Sequence, residues 1–272
     1  MSYLVGTDIG TMGTKTVLVD TEGTIKAHSF KEYGVLTPMQ GWAEQWPQVW
    51  AEATYATIKE AVERSAVNPD DVAGACISSL YGGSGIPVDR NYAAIRPCLI
   101  WADRRATDEC RWVEERIGRE ALFEATGNVI DPYYGYTKML WIRDKEPGHW
   151  AKIHRFETPN AYCIRQLTGV ENIDYSSAGN YGGVFDIHSR DWSTEMMEEL
   201  GIQVNDMKFV CKNFYVASNG ERQHAYCYLV TDYEGEAVCK AAQEIFWEDN
   251  IENLSLEVDK KTVRKMREIQ GE

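Results

Sequence analysis

The beginning of the chain alternates short apolar runs with polar turns, which predicts strands joined by hairpins. An apolar run at residues 3–5 leads into a polar turn, and a β-branched run at residues 16–19 leads out of it. Residues 25–33 alternate polar and apolar positions and predict a third strand. Apolar positions then recur at helical spacing from 47 to 65, where Pro47 suits the first turn of a helix.

Further along, the pattern predicts a mixture of strands and helices. The small apolar run at residues 72–79 predicts a strand buried on both faces. It ends in a second glycine-rich turn, residues 80–85, and open α/β sheets bind ligands at such strand ends. Helices are predicted over residues 106–117, 137–144, 161–167 and 194–200, and a polar loop over 173–180.

The turn between the first two strands contains candidate phosphate-binding groups. Glycines let the backbone approach a ligand closely, and backbone N–H groups, hydroxyls and a lysine can cradle phosphate. Asp8 ends the first strand, where a carboxylate can hold Mg²⁺ directly or through water. The candidates are Asp8, Gly10, Thr11, Gly13, Thr14 and Lys15. An ordinary glycine-rich hairpin has the same composition, so the turn alone leaves both interpretations open.

A second polar group follows the apolar run that ends at Ile100. Asp103 and the two arginines after it can hydrogen-bond polyol hydroxyls or anions. Equally, Asp103 can cap the helix predicted over residues 106–117, with a surface ion pair.

Composition and charge narrow the class of protein. The chain has 272 residues, 44% of them hydrophobic, which is enough for a sizeable core. A net charge of −14 argues against nucleic acid as the main partner, and no apolar run approaches the ~20 residues of a membrane span. Seven widely spaced cysteines without a secretion signal predict reduced thiols in the cytoplasm, not a zinc site.

Seven segments, in order, resemble the FGGY carbohydrate kinases, and among them the xylulokinase-like members. They are residues 6–11 with Lys15, 42–45 with Pro47 and Trp50, 77–85, 101–105, 131–133 with Lys138 and Trp141, 174–179 and 190–193. The resemblance covers residues 1 to about 202 and implies an α/β fold: a mixed sheet flanked by helices, of the actin-like ATPase (ribonuclease H-like) type. We therefore expect a kinase-like N-terminal domain over residues 1–204.

The resemblance also implies an activity: transfer of the γ-phosphoryl group of ATP, with Mg²⁺, to a sugar or polyol hydroxyl. Asp8, Thr11 and Lys15 would then face the phosphates and the metal. Tyr81, Gly82, Asp103, Arg104 and Tyr133 would lie on the sugar side. Many xylulokinases have Met-His-Gly where this chain has Leu-Tyr-Gly-Gly at residues 80–83, so the acceptor stays open between a pentulose and another polyol.

The sequence departs from the family pattern after residue 202. No residue matches the family's catalytic aspartate, and no second lobe is recognisable, so we expect the chain to be truncated and inactive or incomplete alone. The alternative is a non-catalytic binding protein derived from a kinase. A homodimer or a partner chain would cover the open cleft.

The remaining residues, 205–272, predict a small α+β module of order ββαβα that resembles no family. It begins with a hairpin around Asn219-Gly220, a dipeptide typical of two-residue turns. A basic helix is predicted over residues 260–269, with a solvated cationic face.

Overall fold

The computed structural model describes residues 2–81, 83–202, 207–216 and 222–230. The chain forms two compact units that divide between Ile202 and Gln203. Each unit is described by itself.

The first unit mixes strands and helices along the whole of its length. Its strands are β1 (Tyr3–Ile9), β2 (Gly13–Asp20), β3 (Ile25–Glu32), β4 (Glu44–Gln45), β5 (Val72–Ser79), β6 (Ile86–Val88), β7 (Cys98–Leu99), β8 (Arg155–Glu157), β9 (Phe185–Asp186) and β10 (Asp191–Trp192). Its helices are α1 (Pro47–Ser65), α2 (Thr107–Arg116), α3 (Arg119–Thr126), α4 (Gly135–Lys145), α5 (Pro147–Trp150), α6 (Pro159–Thr168), α7 (Tyr175–Tyr181) and α8 (Thr194–Glu199).

The largest sheet has four strands in the order β3-β2-β1-β5. β1 pairs with β2, and β2 with β3, in antiparallel fashion, whereas β5 pairs with β1 in parallel. The predicted opening hairpin is therefore confirmed, and so is the long helix from Pro47 to Ser65. Helix α1 buries Trp50 against the sheet, in a core that includes Ile9 and Ile77.

A chain of buried hydroxyl groups connects the hairpin to α1. Thr7 and Thr16 share a hydrogen bond of 2.9 Å, Thr16 donates to Thr57 at 2.8 Å, and Thr57 donates to the Ala53 carbonyl at 2.8 Å. Ser29 of β3 donates to the Thr57 carbonyl at 2.5 Å. Because each buried hydroxyl has a partner, hydrogen bonds offset the cost of removing the polar layer from water, and the layer fixes three strands to one helix.

The prediction that residues 72–79 are buried on both faces is wrong for the described structure. Ile77 is the buried residue of β5, while Ala73, Ala75 and Cys76 are exposed. The reason is topological: β5 forms one edge of the four-stranded sheet, and small apolar side chains do not by themselves supply a covering layer.

The prediction of a polar loop over residues 173–180 is also wrong, because helix α7 occupies most of this range. The Asp174 carboxylate accepts a hydrogen bond from the Ser177 N–H at 2.8 Å and caps the helix, which ends at Gly182. A side-chain cap compensates for the low helix propensity of the serines that follow.

The second unit contains β11 (Met207–Val216) and β12 (Arg222–Val230), which pair antiparallel. The two strands of the predicted hairpin are thus confirmed. The Asn219-Gly220 turn, and the helices and third strand predicted after residue 230, lie outside the described residues. The boundary at residues 204/205 stays a prediction. No helix in the described part of the chain is long and apolar enough to cross a membrane.

Replacing Trp50 with alanine tests how far the first unit depends on the α1 interface. The Trp50 side chain has no exposed surface, so Trp50→Ala leaves a large cavity and is expected to reduce the free energy of unfolding by about 3–5 kcal/mol. Urea unfolding followed by circular dichroism measures it. Tyr55 lies on the same helix and is 38% exposed, so Tyr55→Ala should cost much less; equal losses would contradict the packing described.

Candidate functional site

The turn between β1 and β2 presents two opposite charges side by side. Asp8 at the end of β1 lies opposite Lys15 on β2, and Ser78 of β5 lies opposite Asp8 on the other side. All three side chains are exposed. Since directly paired residues of neighbouring strands share one face, they form a row on the sheet face opposite α1.

The backbone of this turn is tightly closed. The Gly10 N–H donates to the Gly13 carbonyl at 2.9 Å, and a Cβ at Gly13 would lie 2.8 Å from the Lys31 carbonyl. A side chain at position 13 would therefore push β2 and β3 apart. The Tyr33 hydroxyl donates to the Gly10 carbonyl at 2.7 Å and bonds Thr14, which is fully buried. Thr14 thus belongs to the interior of the turn, unlike the exposed Asp8 and Lys15.

Thr11 connects this turn to a group of aromatic side chains. Its hydroxyl accepts a hydrogen bond from the Trp101 indole N–H at 3.0 Å, and its carbonyl accepts one from Gln45 at 2.9 Å. Trp101 is 41% exposed. The sequence interpretation gave Trp101 no role, although it opens the 101–105 segment that carries part of the resemblance.

Three aromatic rings form a continuous wall beside Thr11. The ring centroid of Tyr133 lies 6.4 Å from the ring centroid of Trp101 and 4.9 Å from that of Tyr81. The Tyr81 hydroxyl donates to the Asn180 carbonyl. Burial raises the pKa of Tyr133, and that of Tyr81 well above its usual value, so both phenols stay neutral at physiological pH. Gly82 lies outside the described residues.

The rest of the second glycine-rich turn packs into the protein. Ser84 is fully buried, donates its N–H to the Leu99 carbonyl at 2.9 Å, and accepts the Leu99 N–H at 3.1 Å on its hydroxyl. Gly83 has a φ of 60° and lies directly against the Leu99 carbonyl, where a Cβ would collide. Among the residues described there, Tyr81 is the one that belongs to the aromatic wall.

Asp103 points inward, which agrees with neither of its two sequence interpretations. It does not cap α2, because the residue at the cap is Ala106 and that cap has no side-chain hydrogen bond. Its fully buried carboxylate accepts from Arg105 Nη2 and from the Ala43 N–H, both at 2.7 Å. Asp103 therefore lies beneath the candidate surface, not on it.

Asp103 belongs to a buried charge cluster that we define as Glu44, Arg96, Asp103 and Arg105. One Glu44 oxygen accepts from Arg96 at 2.8 Å and from Arg105 at 2.7 Å. The Arg105 guanidinium also lies 3.6 Å from the Trp42 ring centroid. Ion pairing and stacking on an aromatic face offset the cost of removing these charges from water.

Arg104, next in sequence, points the opposite way. It forms two hydrogen bonds with the Asp131 carboxylate, of 2.5 and 3.0 Å, and both side chains are partly exposed. This pairing lowers the pKa of Asp131, which also accepts the Tyr133 N–H at 2.7 Å. The Arg104–Asp131 pair thus joins the loop of Trp101 to the loop of Tyr133.

Lys138 is a second residue to which the sequence interpretation gave no role. Its ammonium is fully buried and donates to the carbonyls of Pro132 and Tyr133, the latter at 2.9 Å. Burial lowers the pKa of Lys138 to about 8. The available signal was its place, with residues 131–133, in a segment that carries part of the resemblance.

Comparison with known proteins identifies the family of the chain. The sequence matches the FGGY family of carbohydrate kinases, N-terminal domain, over residues 3–226. It is 30% identical to a xylulose kinase of Bacillus subtilis (strain 168) over 207 residues, which cover 75% of this chain and 40% of the relative. It is 31% identical to a glycerol kinase of Leptothrix cholodnii over 209 residues, 74% of this chain and 42% of the relative.

Solved structures show the same similarity. The crystal structure of xylulose kinase from Rhodospirillum rubrum superposes with a TM-score of 0.69 at 26% identity, covering 74% of this chain and 41% of that one. Plasmodium falciparum glycerol kinase with ADP superposes with a TM-score of 0.65 at 20% identity, covering 74% and 41%, and supports the fold alone.

Fold and neighbours together define a domain of the actin-like ATPase type, with a mixed sheet flanked by helices. The chain belongs to the FGGY family of carbohydrate kinases. The family match ends at residue 226, within β12, and so extends past the residue 202 at which the sequence resemblance was placed. The chain spans 40–42% of the length of the curated relatives named above.

The inward orientation of Asp103 predicts a structural effect of its removal. Asp103→Ala leaves the buried Arg105 without its bidentate partner and is expected to reduce the free energy of unfolding by about 3–5 kcal/mol. Denaturant unfolding measures it. Asp108 forms an exposed ion pair with Arg111, so Asp108→Ala should change stability by less than about 1 kcal/mol. A stable Asp103→Ala protein would contradict the assignment.

Proposed function

We propose that this chain provides the phosphate-facing turn and the acceptor-binding wall of an ATP-dependent carbohydrate kinase that acts on a neutral polyol or pentulose. The observation that carries the proposal is the hydrogen bond from Trp101 to Thr11, at 3.0 Å. It places the aromatic wall directly beside the turn, as transfer between a nucleotide phosphate and a sugar hydroxyl requires.

The charges of the turn suit a nucleotide with its metal ion. Mg²⁺ is commonly held by one or two carboxylates together with phosphate oxygens, and Asp8 is an exposed carboxylate at the end of a central strand. Lys15 supplies positive charge on the neighbouring strand. In the transfer, the γ-phosphoryl group leaves the β-phosphate oxygen of ATP, with ADP as the leaving group, and bonds to the acceptor oxygen, whose proton passes to water. Positioning and charge stabilisation are what such a step needs from the protein.

The aromatic wall suits a neutral acceptor. Tyrosine and tryptophan rings offer an apolar surface for C–H groups of a sugar and polar atoms for its hydroxyls. The cations nearest to the wall are already paired: Arg104 with Asp131, Arg105 with Asp103, and Lys138 with two carbonyls. A carboxylate on the acceptor would have to displace one of these partners.

A non-catalytic binding role is the second candidate function. The observation in its favour is the burial of Asp103, which removes from the surface the one carboxylate that the family resemblance implied beside the sugar. In that case the wall and the turn bind a metabolite without turning it over.

The first test is turnover by the purified full chain. The catalytic proposal requires ADP release in a coupled assay with Mg-ATP and either D-xylulose or glycerol, whereas the missing catalytic aspartate predicts that the chain is inactive or incomplete alone. Where ADP is released, Asp8→Asn is expected to lower the rate about 100-fold or more because it removes the metal-facing charge. Asp70→Asn changes another exposed carboxylate and should leave the rate unchanged. If calorimetry detects ligand binding but no ADP is released, turnover by this chain alone is ruled out, as the missing catalytic aspartate predicts.

The charge of the acceptor is tested by a matched set of ligands. We expect glycerol and D-xylulose to bind at least tenfold more tightly than gluconate, since gluconate carries a carboxylate and the nearby cations are paired. Titration calorimetry measures the three dissociation constants. Asp131→Asn removes the negative charge that pairs with Arg104, so Arg104 becomes available to a carboxylate on the ligand. This substitution should reduce the difference in affinity between gluconate and the two neutral ligands. Preferential binding of gluconate by the unmodified chain would contradict a neutral acceptor site.

A further inference from the structure

Lys138 occupies a position where a positive charge does not stabilise the helix. It lies in the first turn of α4, where the positive end of the helix dipole disfavours a cation. Helical side chains lean toward the N-terminus, so its ammonium reaches back past Gly135 into the preceding loop. There it donates to the carbonyls of Pro132 and Tyr133.

The loop is held from its other side by Asp131. The Asp131 carboxylate accepts the Tyr133 N–H at 2.7 Å, while Lys138 binds the Tyr133 carbonyl at 2.9 Å. Both backbone groups of Tyr133 are therefore fixed. Because the Cα–Cβ direction follows from the backbone, these two contacts also set where the Tyr133 ring stands between Tyr81 and Trp101.

We propose that Lys138 is a positioning residue, which holds Tyr133 in the aromatic wall where the acceptor sugar or polyol binds. The acceptor part of this proposal rests on the function proposed above. The part that concerns the Tyr133 ring does not, since it follows from the contacts of the loop.

Because Lys138 is titratable, its hydrogen bonds to the loop depend on pH. With a pKa of about 8, the side chain is an ammonium below that pH and a neutral amine above it, where its bonds to the two carbonyls weaken. The groups that face it are Cys98 of β7, Asp103 and Arg104 of the following loop, Cys110 of α2, and Asp131. Burial raises the pKa of Cys110 to about 12. The pKa of Cys98 is raised to about 12 and that of Asp131 is lowered, so neither titrates between pH 6.5 and 9.5.

The ring position can be measured without any ligand. In the full chain carrying 4-fluorophenylalanine at position 133, the ¹⁹F resonance is expected to move with a midpoint near pH 8. Lys138→Met should fix the resonance near its high-pH position at every pH, and Lys145→Met, an exposed lysine at the end of the same helix, should behave as the unsubstituted chain. A resonance at pH 7 that has the same position in Lys138→Met as in the unsubstituted chain overturns the proposal. If Lys138→Met does not fold, Lys138→Gln is measured in its place.

Acceptor binding supplies the second measurement. Lys138→Met is expected to weaken glycerol or D-xylulose binding about tenfold and to leave Mg-ADP binding unchanged. Affinity for the acceptor should fall above pH 8 in the unsubstituted chain but not in Lys138→Arg, which stays charged. Equal losses for acceptor and nucleotide would show a merely structural role and overturn the proposal. If the unsubstituted chain binds neither ligand, the proposed function fails, and the fluorine measurement alone decides on Lys138.

Discussion

The buried pair of Asp103 and Arg105 is the constraint on which the geometry of the candidate site depends. A charge without solvent costs several kcal/mol unless it is paired and hydrogen-bonded, so each partner restricts the other to one geometry. Asp103 also accepts the Ala43 N–H, and Arg105 stacks on Trp42. The segment around Ala43 and the loop after β7 are therefore fixed to each other, and neither moves without exposing an uncompensated charge.

The same pair determines which neighbouring side chains face outward. Because Asp103 and Arg105 are committed to the interior, Arg104 between them is directed to the surface, where it meets Asp131. Trp101 precedes the anchored residues and reaches Thr11 of the opening turn. The turn is itself fixed to α1 through the buried threonine hydroxyls. The aromatic wall and the turn between β1 and β2 thus rest on two polar networks, which meet at Thr11 through its hydrogen bonds with Trp101 and Gln45.

The parts of the fold that were predictable are those whose signals are local. The opening hairpin and α1 follow from periodicity and from Pro47, because backbone geometry and helix initiation depend on nearby residues. The burial of β5 was not predictable, since it depends on which elements cover an edge strand. Helix α7 was missed because one capping carboxylate, Asp174, outweighs the propensity of the residues after it. For Asp103, the deciding partner is the Ala43 N–H, sixty residues away in sequence.

Lys138 is a residue whose burial is locally unfavourable but whose contacts position another residue, Tyr133. A buried ammonium near the start of a helix opposes both the helix dipole and desolvation, and its lowered pKa is a measure of that cost. An apolar residue would fill the same volume without the penalty, but it would leave the Pro132 and Tyr133 carbonyls without these bonds. At Tyr133 itself, Asp131 binds the N–H and Lys138 binds the carbonyl. The cost of burying the Lys138 ammonium is therefore offset by the fixed orientation that its contacts give to Tyr133 in the aromatic wall.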